Sequence, residues 1–295
     1  MTRKQESLVL SLLSMDPDGY ESVEIQKLMF LFTRTEEDAP SYEFFPYLRG
    51  GYSSTLRKDM NRLEEKGWIR ELATKRWVLT ETGKVEAYSR RATWWHFRDF
   101  VTRFPYRRNE LVSYVYRRYP YWAINSAVKD KVLGGDVKAL QAIEDEKPNS
   151  HLELASIGYE GRSLENYLNA LIRNGIEVLC DVRKNPISRK YGFSKATLEA
   201  ACKGVDIEYR HYPQLGIPSE ERRELNCQAD YDQLFDWYEK TVLPQQTDAV
   251  AGLSNLVSTG CGVALTCFEA NPAQCHRTRV LAAIEQRTGI NAKLI

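Results

Sequence analysis

From residue 151 onward, short apolar runs alternate with amphipathic stretches, and this alternation restricts the fold more than any other feature of the chain. Runs 152–157, 176–182, 207–212 and 263–268 read as strands, with 291–295 as a fifth. Between them, Ser163 caps a helix that Gly175 terminates, and Ser194 caps a second that ends at Gly204. Segments 231–241 and 244–257 read as helices, and a last helix starts after Asn271. Strands this apolar, separated by helices, require a parallel or mostly parallel sheet covered on both faces. The expectation for 151–295 is an open, Rossmann-like α/β domain.

Such sheets bind ligands outside the carboxyl ends of their strands. The expected first loop brings Tyr159, Glu160 and Arg162 there, and the second brings Asp181, Arg183, Ser188 and Arg189. The third strand ends on His211 and Tyr212, and the fourth leads to Glu269, His276 and Arg277. Arginines beside carboxylates suit an anionic substrate handled by acid/base chemistry. Arg162, Arg183, Ser188, Arg189 and Arg277 are therefore candidate anion-binding residues, and Asp181, Glu269, His276 and Tyr159 candidate catalytic ones. Two carboxylates on neighbouring strand ends, Asp181 and Glu269, could hold Mg²⁺ with water and phosphate, although no motif demands a metal. The competing reading makes Asp181 half of an ion pair that merely ties loops together.

Cys275-His276-Arg277 stands at the start of the last helix. With Asn271 as cap and Pro272 at the first helical position, helical phase puts Arg277 on the same face as Val280, Leu281 and Ile284. His276 lies on the flank, and Cys275 and Arg279 point away. An arginine on a core face needs Asp181, Glu269 or a bound anion. The six cysteines show no CxxC pair and no Cys/His zinc spacing, and most of them read as core thiols in a reducing compartment.

The N-terminal third has a different grammar. Segment 4–14 and the run around Lys27–Phe32 read as helices, Ser53 or Ser54 caps a third, and 68–70 and 76–79 read as short strands. Arg57, Lys58, Asn61 and Arg62 fall opposite the apolar stripe of Leu56, Met60 and Leu63. Segment 84–118 then carries nine Lys or Arg against three acids, and 88–122 holds twelve aromatics. Arg-aromatic mixtures can stack on bases, but helices bridging two domains are the favoured reading. The expected division is 1–89, a helical bridge and linker over 90–150, and 151–295. Formal net charge is +1, so the chain as a whole is not a basic nucleic-acid binder. The N-terminus lacks a signal-peptide pattern and no apolar stretch approaches spanning length, which leads to an expected cytoplasmic protein with no membrane partner.

Two resemblances follow from these residues. Tyr52, Ser53, Leu56, Asp59, Leu63 and Gly67, after the KLMFLF helix, resemble antitoxin-associated winged helix-turn-helix domains. The resemblance implies a DNA partner reached through Arg57, Lys58, Asn61 and Arg62, or a winged helix used for homodimerisation or docking. The runs SIGYEGRS, DVRKNPISR, YPQLG and CFEANPAQCHR, in that order, resemble the domain-of-unknown-function family 488. That resemblance implies an α/β fold and a motif set containing Gly158, Tyr159, Arg162, Asp181, Arg183, Pro186, Ser188, Arg189, Leu215, Gly216, Glu269, Cys275, His276 and Arg277, not an established reaction. Its members often accompany nucleic-acid and mobile-element defence genes. Together these point to a DNA-associated protein whose α/β domain binds a phosphate-bearing nucleotide or nucleic acid and cleaves it as a hydrolase. One alternative is a non-catalytic regulator that senses an anion. Another is sulfur-transfer chemistry at Cys267 or Cys275, since the pattern is also similar to a rhodanese, although Glu269 would oppose thiolate formation.

Overall fold

Thr2 opens helix α1 (Arg3–Leu13) with a reciprocal cap: its hydroxyl accepts from the Gln5 N–H, and the Gln5 side chain accepts from the Thr2 N–H. The computed structural model describes residues 2–90, 94–222 and 225–295, divided into two units, Met1–Lys147 and Pro148–Ile295. In the first unit α1 leads to β1 (Tyr20–Glu21), α2 (Ser22–Thr35), β2 (Phe45–Tyr47), β3 (Gly50–Tyr52) and α3 (Ser54–Glu65). Strands β4 (Ile69–Glu71) and β5 (Arg76–Leu79) follow. Helices α4 (Glu81–Ser89), α5 (Trp94–Arg103), α6 (Arg108–Arg118), α7 (Lys129–Leu133) and α8 (Val137–Asp145) complete the unit. β1, β5 and β4 form an antiparallel sheet in that order, and β2–β3 a separate hairpin. β1 and the hairpin are additional to the expected elements, because runs of two or three residues show no period.

Every residue of α2 from Glu24 to Thr33 is buried. A helix this enclosed sits inside its core rather than on it. Phe30 meets Phe44, Tyr119 and Trp122 edge-on at 5.1–5.4 Å, and Phe32 stacks on Phe97 at 4.0 Å. The basic, aromatic segment thus spends several of its rings on α2; Arg91 of that segment lies outside the described residues.

Lys27 is buried in the same helix and donates to the Gly51 carbonyl at 2.8 Å. Burial, helped by nearby Arg49, pushes its ammonium down from 10.5 to about 7. Between those values the unfolded chain holds a proton that the folded chain has released. Stability should therefore rise as pH climbs through that window, and Lys27→Met should flatten the rise. Urea midpoints measured across the window for both chains check this.

The second unit alternates strands and helices: β6 (Leu154–Gly158), α9 (Leu164–Arg173), β7 (Val178–Asp181), α10 (Lys195–Lys203), β8 (Glu208–His211), α11 (Gln228–Thr241), α12 (Thr247–Ser258), β9 (Val263–Cys267), α13 (Arg277–Thr288) and β10 (Lys293–Leu294). The strands pair in the order β10, β6, β9, β7, β8, every pair parallel. The chain skips from β6 to β7, leaving a slot that β9 later fills, and from β9 it turns the opposite way to β10. A crevice belongs at the carboxyl ends of β6 and β9, where the direction reverses. Among the described residues no helix is long and apolar enough to cross a membrane.

Side chains alternate along each strand, so this rim is divided between the two sheet faces. Val263, Leu265 and Cys267 of β9 join Cys180, Val182 and residues of α11, α12 and α13 in one core. Thr266 points to the other face, where its hydroxyl accepts from Tyr167 of α9 at 2.8 Å. Asp181 is in register with Thr266 and shares that face.

The last helix departs from expectation. Asn271 does cap, accepting from the Ala273 N–H at 3.0 Å, but Pro272–Gln274 makes only one 3₁₀ turn. Cys275 is extended (φ −131°, ψ 127°), and α13 begins at Arg277. Phase carried across that break fails, and Cys275, expected to point away, is fully buried. Beyond the break the phase holds, with Arg277, Val280, Leu281 and Ile284 buried. Ser194 also stands at its expected cap position without capping; its hydroxyl accepts from the Ser188 N–H and donates to the Ser188 carbonyl, both at 3.1 Å.

Candidate active site

On the α9 face the rim is a closed ion-pair network. Asp181 is wholly buried; its Oδ1 accepts from the Arg183 backbone N–H at 3.1 Å and from Arg183 Nε at 2.8 Å. Its Oδ2 accepts from Arg183 Nη2 and, at 2.6 Å, from the Tyr209 hydroxyl. Burial, followed by the charge on Asp181, pushes the Tyr209 phenol far up, so it stays a donor. Arg183 in turn donates through Nη1 to the Tyr159 hydroxyl at 2.8 Å and the Phe193 carbonyl at 2.9 Å. Tyr159 stacks on Phe193 with ring centroids 4.4 Å apart. Asp181 has no acceptor capacity left for Mg²⁺ or a substrate proton. This side of the rim has the form of the structural ion pair.

The α13 face is different. Arg277 is fully buried yet touches neither carboxylate: Nε donates to Ser156 Oγ at 2.8 Å, and Nη1 to the Glu269 carbonyl at 2.6 Å and to Cys275 Sγ at 3.1 Å. The sequence argument placed the arginine on the core face but not its partners, because a backbone carbonyl leaves no mark in sequence. Glu269 Oε1 accepts from Arg222 Nη1 at 2.8 Å, and Arg222 Nη2 reaches His276 Nδ1 at 3.1 Å. His276 Nε2 lies 2.9 Å from the Val182 carbonyl, which can only accept; that nitrogen therefore carries the proton and Nδ1 is the acceptor. Cys267 Sγ lies 3.8 Å from the same Nδ1.

Cys267 and Cys275 split their titration. A hydrogen bond from Cys275, aided by His276 and Arg222, holds the Cys267 thiol well below its ordinary range against the cost of burial. Burial and then the neighbouring Cys267 push the Cys275 thiol up. The expectation that Glu269 would oppose a thiolate is offset because Arg222 pairs with that carboxylate and also acts on Cys267.

Three buried polar atoms here have no partner among the described residues: Arg222 Nε, Arg277 Nη2 and Glu269 Oε2. Such atoms are few in folded proteins and each asks for a ligand or water. Glu269, His276 and Arg277 are thus brought together, with Cys267, Cys275 and the unforeseen Arg222. Arg222 sits in a 219–222 turn, within a run of five consecutive charged residues in the sequence, with no period to distinguish it. The remaining candidates lie elsewhere. Arg162 donates to the Ile295 carbonyl at 2.9 Å, Ser188 braces its own loop, and Arg189 is exposed.

Gly158 fixes the approach of the two loops. A Cβ there would lie 2.0 Å from the Glu269 carbonyl oxygen, the acceptor of Arg277.

No curated protein and no solved structure matches the chain. The family model described as "Domain of unknown function DUF488" matches residues 163–284, from the Ser163 cap of α9 to Ile284 in α13. That span contains Asp181, Arg183, Arg222, Cys267, Glu269 and the Cys275-His276-Arg277 run, while Tyr159 and Arg162 precede it. The second unit is, over that span, similar to this family.

Proposed function

We propose that the second unit binds the phosphate group of a nucleotide or nucleic acid at the α13 face of the rim and hydrolyses it with Glu269 and His276 as acid and base. The observation that carries this reading is the pair of buried guanidinium N–H groups without a partner among the described residues, Arg222 Nε and Arg277 Nη2. Fixed guanidinium donors suit phosphate oxygens. Arrival of an anion gives Arg222 a competing acceptor and loosens its hold on Glu269 Oε1 and His276 Nδ1. Glu269 can then take a proton from the attacking water as the phosphorus–oxygen bond to the leaving group breaks, and His276 Nδ1, an acceptor whose ring is held through Val182, relays that proton from Glu269 to the leaving oxygen. Asp181, Arg183 and Tyr159 position the rim without touching the reacting atoms.

The test is incubation of the full chain with nucleoside phosphates and oligonucleotides, with and without Mg²⁺. Turnover should fall by about 10²-fold or more in Glu269→Gln, the usual weight of a general acid or base. Phosphate binding without turnover would transfer the site to an anion-sensing regulator, and no binding would reject both readings.

For the first unit we propose a winged helix that docks on DNA through α3. Support comes from the order α1, α2, α3, β4, β5 and from the exposed Asn61 and Arg62, with Lys58 beside them. Arg57 lies 5.3 Å from the Trp77 ring and 3.5 Å from Ser22 Oγ, which suits a positioning role. In fluorescence anisotropy with duplex DNA, Arg62→Ala should weaken binding uniformly across sequences and reduce the salt slope by about one. An unchanged slope would remove Arg62 from the interface.

Thiol chemistry is the second reading, favoured by the lowered Cys267 thiol. Cys267 is only 1% exposed, which sets it behind the arginine site. Full turnover in Cys267→Ser would dismiss it.

A further inference from the structure

We propose that Cys267, Cys275 and His276 form a binding site for a zinc-class divalent metal. The inference does not depend on the phosphate reading and competes with its proton relay, because a metal on His276 Nδ1 would take that nitrogen out of acid/base chemistry. Three backbone devices deliver the ligands: Cys267 ends β9, Cys275 occupies the extended break before α13, and His276 is the helix cap. All three are buried, and the two sulfurs and a ring nitrogen lie within 4.8 Å of one another.

Geometry and ligand type agree. Tetrahedral zinc with Zn–S of about 2.3 Å and Zn–N of about 2.0 Å puts sulfur and nitrogen roughly 3.6 Å apart. Cys267 Sγ and His276 Nδ1 are 3.8 Å apart. Metal-bound imidazoles usually donate their other N–H to a carbonyl or carboxylate, and His276 Nε2 donates to the Val182 carbonyl. That bond fixes the tautomer whose Nδ1 lone pair faces Cys267. Two thiolates and an imidazole favour zinc over magnesium or calcium. Three protein ligands leave a fourth position for water, or for Glu269, whose Oε2 is buried without a partner among the described residues.

The arginines do not forbid the charge. Two thiolates balance a divalent ion, and Arg222 retains Glu269 Oε1 when the metal takes Nδ1 from it. Each thiol that still holds a proton releases it to solvent on binding. The spacing is unfamiliar because seven residues separate the cysteines and the histidine directly follows the second.

The test uses the reduced full chain without any phosphate ligand, titrated with Co²⁺ and then Zn²⁺. One Co²⁺ per chain should bind with a sulfur-to-cobalt charge-transfer band, and one equivalent of Zn²⁺ should erase it. The band should vanish in Cys267→Ser and in Cys275→Ser and persist in Cys227→Ser, which changes an exposed thiol. If the site variants fail to fold, X-ray absorption of the Zn²⁺-loaded wild-type chain should show two sulfur neighbours at about 2.3 Å, and a shell of nitrogen and oxygen alone would overturn the proposal. The proposal is overturned if the reduced wild-type chain binds neither ion, or if the band survives in a folded Cys267→Ser/Cys275→Ser chain. A Cys267–Cys275 disulfide whose reduction restores no metal uptake also overturns it.

Discussion

Arg183→Met is expected to cost the second unit about 3–5 kcal/mol, the usual penalty when one partner of a buried ion pair is removed. Asp181 would keep its place at the end of β7, fully buried, with only the Tyr209 hydroxyl and the backbone N–H of residue 183 left to satisfy it. Arg183→Lys should recover little. One ammonium cannot reproduce the fork that bonds both carboxylate oxygens, the Tyr159 hydroxyl and the Phe193 carbonyl. Arg183→Met combined with Asp181→Asn should recover much of the loss, because the uncompensated charge is gone. Urea unfolding of the full chains measures all four. Equal losses in the single and double variants would contradict the ion-pair account.

The second large effect is expected at Gly158. Gly158→Ala places a methyl 2.0 Å from the Glu269 carbonyl oxygen, so the backbone at Glu269 and Ala270 must move. Overpacking of this kind costs on the order of 1–3 kcal/mol. The displacement also removes the Nη1 acceptor of Arg277 and shifts Glu269 relative to Arg222. Phosphate binding should therefore fall further than stability alone explains. A folded Gly158→Ala chain that binds phosphate like wild type would show that the β6–β9 crevice is not where the anion sits.

The layers of the second unit were legible because strand and helix periods are local. Ile176–Val182 and Val263–Phe268 as apolar runs, with Ser163 as a cap, required nothing distant. Observed strands are shorter by a residue or two at several ends, as at β7, where ladder pairing starts only at Val178. The site was legible as a rim but not as two faces. Asp181 and Glu269 follow neighbouring strands, yet Asp181 shares its face with Thr266 while Cys267 takes the opposite one. The Cys275 error has a single cause: Asn271-Pro272 starts a 3₁₀ turn that ends after Gln274, and a phase count assumes an unbroken helix. Arg222 was hidden because its role depends on a loop closing over Glu269 and His276, contacts 47 and 54 residues away in sequence. In the first unit, α2 revealed its burial through its composition, but the hairpin over residues 45–52 was too short to leave a pattern.

The most direct measurement is calorimetric titration of the full chain with inorganic phosphate and with nucleoside monophosphates, comparing wild type with Arg222→Met and Arg287→Met. Arg222 bears on Glu269 and His276, whereas Arg287 is exposed in the last turn of α13. The account predicts binding by wild type and by Arg287→Met. Arg222→Met should bind about 10–100-fold more weakly, the loss of one or two charged hydrogen bonds. Equal affinity in all three chains, or none in wild type, would contradict the assignment of the buried arginines to an anion.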